Sequence, residues 1–187
     1  IRSTHDQNLV LAYVAEKDLY TLWQGLTDLS LARANHGTLT DMINCPGLDY
    51  CSLANAETLV LSKRINETFD DLDYLYDLGP IELKISGCMN ACGHHHIGHI
   101  GILGVEKGGK QVYQFTLGGH DSEQASLGKT LGRSIPQDDV VATIGTLLNT
   151  YLSLRHDISE CFADVVKRLG LQPFKDAVYG PAKKTAA

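Results

Sequence analysis

The first third of the chain contains one strand-like and two helix-like patterns of apolar positions. Residues 7–14 are rich in β-forming side chains and predict a strand. Residues 16–31 predict an amphipathic helix, because five apolar side chains recur at helical spacing: Leu19, Leu22, Trp23, Leu26 and Leu29. Residues 32–44 contain glycine, asparagine and threonine and predict a loop. Ser52 is a suitable N-cap for a second helix, which we expect to end near residue 69.

The middle of the chain predicts a small sheet. An acidic, tyrosine-bearing segment, which we expect to be a loop, precedes residues 81–85, where apolar and charged side chains alternate as in a strand. A turn rich in cysteine and histidine follows at 87–96, and residues 97–105 and 111–117 predict two more strands. Gly108-Gly109 lies between these two segments, and a Gly-Gly turn between β-rich segments indicates a hairpin.

Two helices are predicted to complete the fold. Ser134-Ile135-Pro136-Gln137 has the pattern of a capping box, and the helix after it is expected to reach Leu154. Its buried side carries Val140, Val141, Ile144, Leu147, Leu148 and Tyr151. A last helix is predicted over 158–169, with Gly170 placed to end it. Because strands and helices interleave without strict alternation, the sequence predicts an α/β (α+β) fold, a layered sheet with flanking helices.

Charge and hydropathy narrow the functional classes. The 187 residues carry a net charge of −6, and without a basic stripe this balance argues against nucleic acid as a partner. No apolar stretch approaches the roughly 18 residues that a membrane span requires. Ile1 is not a methionine, and the first residues lack the order of a signal peptide. We therefore expect a piece of a longer cytoplasmic protein.

Five cysteines favour metal binding over disulfides, because their number is odd and four of them are clustered. Cys45 and Cys51 have C-x5-C spacing, and Cys88 and Cys92 have C-x3-C spacing. Each pair lies at a junction between predicted elements, where backbone N–H groups and helix N-termini stabilise thiolates. The fifth, Cys161, lies on the apolar side of a helical pattern and is expected to be a small buried side chain.

Four thiolates can hold either one zinc ion or an iron–sulfur cluster. Structural zinc sites usually space the two ligands of a pair two to four residues apart, so the gap between Cys45 and Cys51 favours a larger group. Four-cysteine ligation is typical of a [4Fe-4S] cluster. Spacing alone leaves zinc, and also buried cysteines without a metal, as alternatives.

The residues around the second pair resemble a known signature. Gly87-Cys88-Met89-Asn90-Ala91-Cys92-Gly93 is similar to the motif of the assimilatory sulfite and nitrite reductase hemoproteins, which bind siroheme and a [4Fe-4S] cluster. The first pair agrees, since Cys51 is followed by Leu53, Ala54, Ala56 and Glu57. Gln7-Asn8-Leu9, Leu117-Gly118-Gly119 and the last predicted helix also fit, so the resemblance covers nearly the whole chain.

The resemblance implies a domain organisation. Residues 1–35 would be the tail of a ferredoxin-like half-domain, a strand plus a helix, and residues 36–180 would bind siroheme and the cluster. Residues 181–187 form a Pro/Ala/Lys tail that we expect to be disordered. The chain would be the C-terminal part of the family's hemoprotein, without its N-terminal half.

The resemblance also implies roles for individual residues. Cys45, Cys51, Cys88 and Cys92 would ligate the four irons, and Cys92 would also bridge to the siroheme iron, so that electrons pass through it. Asn90 would support the cluster. Gln7 and Asn8 would border the siroheme.

The implied activity is the six-electron reduction of sulfite to sulfide. Reduction of nitrite to ammonia also takes six electrons and is the alternative, although the Cys88 segment favours sulfite. The electron donor would be a flavoprotein or a ferredoxin. Since the residues that bind the substrate anion lie mostly in the missing half, the isolated chain is expected to be inactive and often without its cofactors.

Other interpretations remain open at this stage. They are a binding module with a structural zinc ion, a ferredoxin-like carrier without haem, and an enzyme of the dissimilatory branch. One departure from the family pattern is His94-His95-His96, where the family often has Arg or Gln and a small residue. These histidines are either polar replacements near the site or a proton donor or haem contact, because histidine titrates near neutral pH. With His99 they could also bind adventitious metal.

Overall fold

The computed structural model describes residues 1–122 and 125–181. Beyond Pro181, the tail that the sequence predicts to be disordered lies outside the described residues. Strands β1 (Arg2–Ser3) and β2 (Leu9–Val10) pair antiparallel. The strand predicted over 7–14 is therefore only two residues long, because Gln7 and Tyr13 have φ of 62° and 61°, which a strand does not accommodate.

The predicted N-terminal helix is confirmed. One turn of 3-10 helix at Glu16–Asp18 leads into α1 (Leu19–Asp28). Every residue of α1 is at least partly exposed, and its apolar residues Leu19 and Trp23 are each about half exposed. This helix therefore buries little apolar surface against the described residues.

A six-stranded mixed sheet forms the centre of the fold, in the order β3-β4-β5-β6-β7, with β8 also paired to β6. Strand β4 pairs parallel with both β3 and β5, and the other pairs are antiparallel. The predicted strand at 81–85 and the predicted hairpin are confirmed in type and approximate position. The strands are β3 (Ile43–Asn44), β4 (Leu83–Ser86), β5 (Ile100–Lys107), β6 (Lys110–Leu117), β7 (Lys129–Thr130) and β8 (Ile135–Pro136).

Helices cover one face of this sheet. The core includes Leu61, Ile65, Leu83, Ile85, Ile144, Leu147, Phe162 and Phe174. The helices are α2 (Leu59–Thr68), α3 (Leu72–Leu78), α4 (Val140–Leu154), α5 (Phe162–Leu169) and α6 (Gln172–Tyr179). The arrangement confirms the predicted layered α/β (α+β) fold with flanking helices. Within the described residues, no helix is long and apolar enough to cross a membrane.

The predicted start of the second helix is wrong. Helix α2 begins at Leu59 rather than after Ser52, because the backbone of residues 54–56 bonds outside the helical pattern. The N–H groups of Asn55 and Ala56 both donate to the carbonyl of Gly87, at 2.8 and 3.1 Å. A tertiary contact thus replaces the local capping that the sequence indicated.

Two helices were not predicted. Helix α3 lies in the acidic segment that was expected to be a loop, and Asp71 caps it by accepting a hydrogen bond from the Tyr74 N–H at 2.9 Å. Helix α6 follows Gly170, which ends α5 as predicted with φ of 70°. Pro173 in its first turn is a helix-start signal that could have revealed it.

The capping box predicted before α4 is wrong. Ile135–Pro136 form β8 instead, and a 3-10 turn at Gln137–Asp139 leads into the helix without a side-chain cap. The end at Leu154 is confirmed. Helix α5 begins four residues later than predicted, because Asp157 and Glu160 accept hydrogen bonds from the backbone N–H groups of Ser159 and His156 and hold the preceding segment in a turn.

Cys161 is only partly buried, whereas the sequence predicted a buried side chain. It occupies the N-cap position of α5, is partly exposed, and its thiol donates to the Asp164 carboxylate at 2.9 Å. Burial, followed by the contact with Asp164, raises the pKa of this thiol. The Cys161 thiol is therefore engaged with Asp164 at the start of α5.

The second face of the sheet carries two buried polar side chains on β4. Lys84 and Ser86 alternate with the core residues of β4, and both are buried. The Lys84 ammonium pairs with Asp121 at 2.6 Å and with Glu82 at 3.0 Å. Burial lowers the pKa of Lys84, but its hydrogen bonds to these two carboxylates outweigh burial, so that the pKa is raised overall. This ion-paired layer ties β4 to the loop that follows β6.

Candidate metal centre

Both cysteine pairs lie in loops that follow strands β3 and β4. These two strands run parallel and finish at the same end of the sheet, with Asn44 opposite Ile85. Cys45 directly follows β3, and its N–H donates to the carbonyl of Ile85 at 3.0 Å. Cys88 lies two residues beyond the end of β4. Two motifs that are 43 positions apart, counting from Cys45 to Cys88, are thus brought together by the parallel pairing.

Glycines allow the two cysteine loops to touch. A Cβ placed on Gly87 would lie 2.7 Å from the Cα of Gly47, so neither loop has room for a side chain there. A Cβ on Gly104 of the neighbouring strand β5 would lie 2.5 Å from the Cβ of Ala56. Gly47 also has φ of 60°, a conformation that favours glycine. The sequence motif therefore includes Gly47 for steric reasons.

Backbone hydrogen bonds shape the first loop. The N–H of Cys51 donates to the Gly47 carbonyl at 2.9 Å, and that of Leu48 donates to the Ala56 carbonyl at 3.1 Å. The fully buried Thr58 hydroxyl donates to the Cys45 carbonyl. Sequence reasoning missed Thr58, because nothing in the local pattern shows that it folds back onto a residue thirteen positions earlier.

The second loop is a tight turn around Cys92. Ala91 and His94 have φ of 57° and 54°, a left-handed conformation that is uncommon for non-glycine residues. The Gly93 N–H donates to the buried Ser86 hydroxyl at 3.1 Å. Ser86 is a second residue that sequence reasoning missed, although it directly precedes the motif. The loop is therefore held by contacts with β4 itself.

Exposure varies across the four cysteines. Cys45 and Cys88 are 6% and 5% exposed, Cys51 is intermediate, and Cys92 is exposed. None of the four forms a disulfide within the described residues. Four free thiols lie at one end of the sheet, beside glycines that let the two loops approach. They have the ligand chemistry of a [4Fe-4S] cluster. The residues present fit that group, and Cys92 lies on the solvent-exposed side of the site.

The geometry does not support the zinc alternative. In residues 1–122 and 125–181, no three His, Cys, Asp or Glu side chains are placed to bind one metal ion. A tetrahedral zinc site needs its ligands gathered within about 2.3 Å of one point. The same finding gives no support to an adventitious ion at His94, His95, His96 and His99.

The other predicted site residues lie near the two cysteine loops or within them. The side chain of Gln7 bonds to the backbone of Asn44, and the side-chain amide of Asn8 donates to Asp41 at 2.8 Å. Asn90 is exposed in the turn between Cys88 and Cys92 and forms no side-chain hydrogen bond with the residues that the structure describes. The roles given to these three residues stay predictions.

The histidines after the motif differ in environment. His94 and His96 are exposed, whereas His95 and His99 are only 1% and 5% exposed. Burial, with repulsion from His96, lowers the pKa of His95 to about 4. Burial, with repulsion from His120, also lowers the pKa of His99 to about 4. Both buried imidazoles are therefore neutral near neutral pH.

The free energy of unfolding of the chain should fall as the pH drops from about 6.5 to about 4. The unfolded chain protonates His95 and His99 near their ordinary pKa of 6.5, whereas the folded chain protonates them only near 4. The free energy of unfolding thus has its full value above pH 6.5. It falls on acidification by at most about 3 kcal/mol for each histidine.

Urea unfolding between pH 4 and 7 measures this slope. His99→Asn can keep an acceptor for the Glu82 N–H, which now donates to the His99 Nδ1 at 3.1 Å, and it should flatten the slope. His5→Asn is the matched control at an exposed position and should keep the parental slope. Equal slopes in all three proteins would contradict the prediction.

Comparison with known families agrees with this geometry. The profile of the family described as "Nitrite and sulphite reductase 4Fe-4S domain" matches residues 36–185, which include all four cysteines of the two pairs. The chain belongs to this family. The resemblance predicted from the two cysteine motifs is confirmed.

Two curated relatives of the chain are sulfite reductases. The chain is 26% identical over 178 residues to the sulfite reductase [NADPH] hemoprotein beta-component of Bacillus licheniformis, covering 91% of this chain and 30% of that protein. It is 29% identical to the sulfite reductase [ferredoxin] of Mycobacterium tuberculosis, covering 90% of this chain and 32% of that protein. The chain thus spans about a third of the length of these relatives.

Solved structures share the fold. The Mycobacterium tuberculosis NirA protein superposes with a TM-score of 0.78 and 28% identity, over 92% of this chain and 33% of that one. Dissimilatory sulfite reductase I superposes with a TM-score of 0.73 but only 12% identity, which shows a common fold alone. The predicted cofactors, a [4Fe-4S] cluster and siroheme, are those of the family.

Proposed function

We propose that the chain is the C-terminal, cofactor-binding part of a sulfite reductase hemoprotein, which reduces sulfite to sulfide in a cytoplasmic setting. The observation that carries the proposal is that the Cys45 and Cys88 loops follow the paired parallel strands β3 and β4 and touch at Gly47 and Gly87. This arrangement supports a single site with four cysteine ligands.

Each part of the chain has a role in this proposal. Cys45 and Cys88, which are buried, and Cys51 would hold the inner side of the cluster, while Cys92 would be the exposed ligand shared with siroheme. When bound, the cluster and siroheme supply the storage and transfer of the six electrons that the reaction requires. The protein would orient the thiolates through the contact of Thr58 with the Cys45 backbone and that of Ser86 with the Gly93 backbone.

Substrate and donor are inferred from the relatives. The described relatives above are sulfite reductases, which favours sulfite over nitrite as the substrate. Their names mention NADPH in one case and ferredoxin in the other, so the electron donor would be a flavoprotein that uses NADPH or a ferredoxin. The remaining walls of the anion site would come from the rest of the longer protein.

The test uses the longer protein that contains this chain. Its visible spectrum should show siroheme, and analysis should find about four iron and four acid-labile sulfide in addition to the haem iron. Reduction rates with sulfite and with nitrite then decide the substrate. A colourless protein with one zinc ion would contradict the proposal, and faster turnover of nitrite would replace sulfite by nitrite.

A further inference from the structure

The backbone of Asn44 is bonded by a side chain. The Gln7 side-chain N–H donates to the Asn44 carbonyl at 3.1 Å, and the Asn44 N–H donates to the Gln7 side-chain oxygen at 2.9 Å. Strand β3 is the edge strand of the sheet, and the N–H of the next residue, Cys45, points to β4. The Asn44 groups therefore face the open edge, where Gln7 replaces a neighbouring strand.

The backbone of Gln7 is held in place for this contact. Its φ of 62° is unfavourable for a residue with a side chain. The turn persists because the Thr4 hydroxyl accepts from the N–H groups of Asp6 and Asn8, and because the Asn8 side chain donates to Asp41. Backbone strain that is kept by surrounding contacts often marks a functional position.

The peptide groups around Cys45 are thus held from three sides. Gln7 bonds the peptide groups on either side of Asn44, β4 accepts from the Cys45 N–H, and Thr58 donates to the Cys45 carbonyl. The Asn44 side chain adds a hydrogen bond to the Ser62 hydroxyl at 3.0 Å. Of these contacts, the one with Gln7 crosses from the N-terminal segment, 37 residues earlier.

We propose that Gln7 is a positioning residue for Cys45: its amide fixes the edge of β3 so that the Cys45 thiolate is preorganised for the cluster. This inference rests on the proposed function, and it differs from the expectation that Gln7 borders the siroheme. Both polar atoms of its amide are already used by Asn44. A preorganised ligand should retain the cluster longer and fix its electronic environment.

The test compares three Gln7 variants in the longer protein with its cofactors. Gln7→Met keeps the length of the side chain without its hydrogen bonds, and loss of two bonds should speed cluster loss to an iron chelator about tenfold. Gln7→Glu keeps an acceptor for the Asn44 N–H and should lie between Gln7→Met and the parent. Gln7→Gly relieves the backbone strain but removes the side chain, and it should also lose the cluster faster.

The EPR spectrum of the reduced cluster is the second readout, because a merely structural role would not change it. We expect an altered spectrum for Gln7→Met and a parental one for Gln24→Met. The latter is the matched control, since Gln24 lies in α1 and its side-chain amide has a long 3.4 Å contact with the Tyr20 hydroxyl.

Two results would overturn the proposal. In one, Gln7→Met and Gln7→Gly lose the cluster at the parental rate with the parental spectrum. In the other, Gln7→Met keeps the cluster but loses siroheme, which would assign Gln7 to the haem instead. Failure of the proposed function is a separate outcome, because the parent protein would then contain no cluster at all.

Discussion

Replacing Gly93 by alanine is expected to prevent the chain from reaching a stable native fold. A Cβ at this position would lie 1.8 Å from the carbonyl oxygen of Ile85 and 2.7 Å from its carbonyl carbon. The Ile85 carbonyl cannot move away, because it accepts from the Cys45 N–H and belongs to a buried central strand. We expect a loss of more than about 4 kcal/mol, which is a large part of the stability of a typical domain.

Urea unfolding of the chain and its soluble yield measure this effect. The matched control is Gly25→Ala, in the interior of α1, where a Cβ would meet nothing within 4 Å. Alanine there should stabilise the protein by up to about 1 kcal/mol through helix propensity. A Gly93→Ala protein with the parental unfolding midpoint would show that the Cys92 turn can move away from β4.

The sequence was informative where function or local geometry restricts residue types. The two cysteine pairs indicated the family correctly, because thiolates in that number and spacing have few other uses. Gly108-Gly109 correctly indicated the hairpin, with φ of 61° and 75° at the two positions. The six buried-side positions of α4 are confirmed except for Val141, which is partly buried, since helical periodicity is a strong signal over fifteen residues.

Prediction failed where contacts distant in sequence decide the structure. Ser52 is a good local N-cap, yet the carbonyl of Gly87 binds the backbone of residues 55 and 56 and delays the helix until Leu59. The edge contact of Gln7 with Asn44 spans 37 residues and leaves no pattern in either segment. The details that orient the cysteines are therefore tertiary, even though the cysteines themselves are evident from the sequence.

The second large effect is expected at the cysteines of the site. In the longer protein, Cys88→Ser should remove the acid-labile sulfide and leave the haem iron alone. Sulfite reduction should be lost as well. Cys88 is 5% exposed and its loop contacts the first cysteine loop through Gly87 and Gly47, so its side chain lies in a buried, closely packed part of the site. A serine hydroxyl is also a much weaker ligand for iron than a thiolate.

Cys161→Ser is the matched control, because it makes the same substitution at the fifth cysteine. The Cys161 thiol donates to Asp164 at the start of α5, so we expect it to have no part in holding the cluster. We expect this variant to keep the parental iron, sulfide and visible spectrum. If Cys88→Ser and Cys161→Ser retained equal amounts of cluster, Cys88 would not be a ligand. If both lost it, Cys161 would have to belong to the site, and the four-cysteine assignment would be wrong.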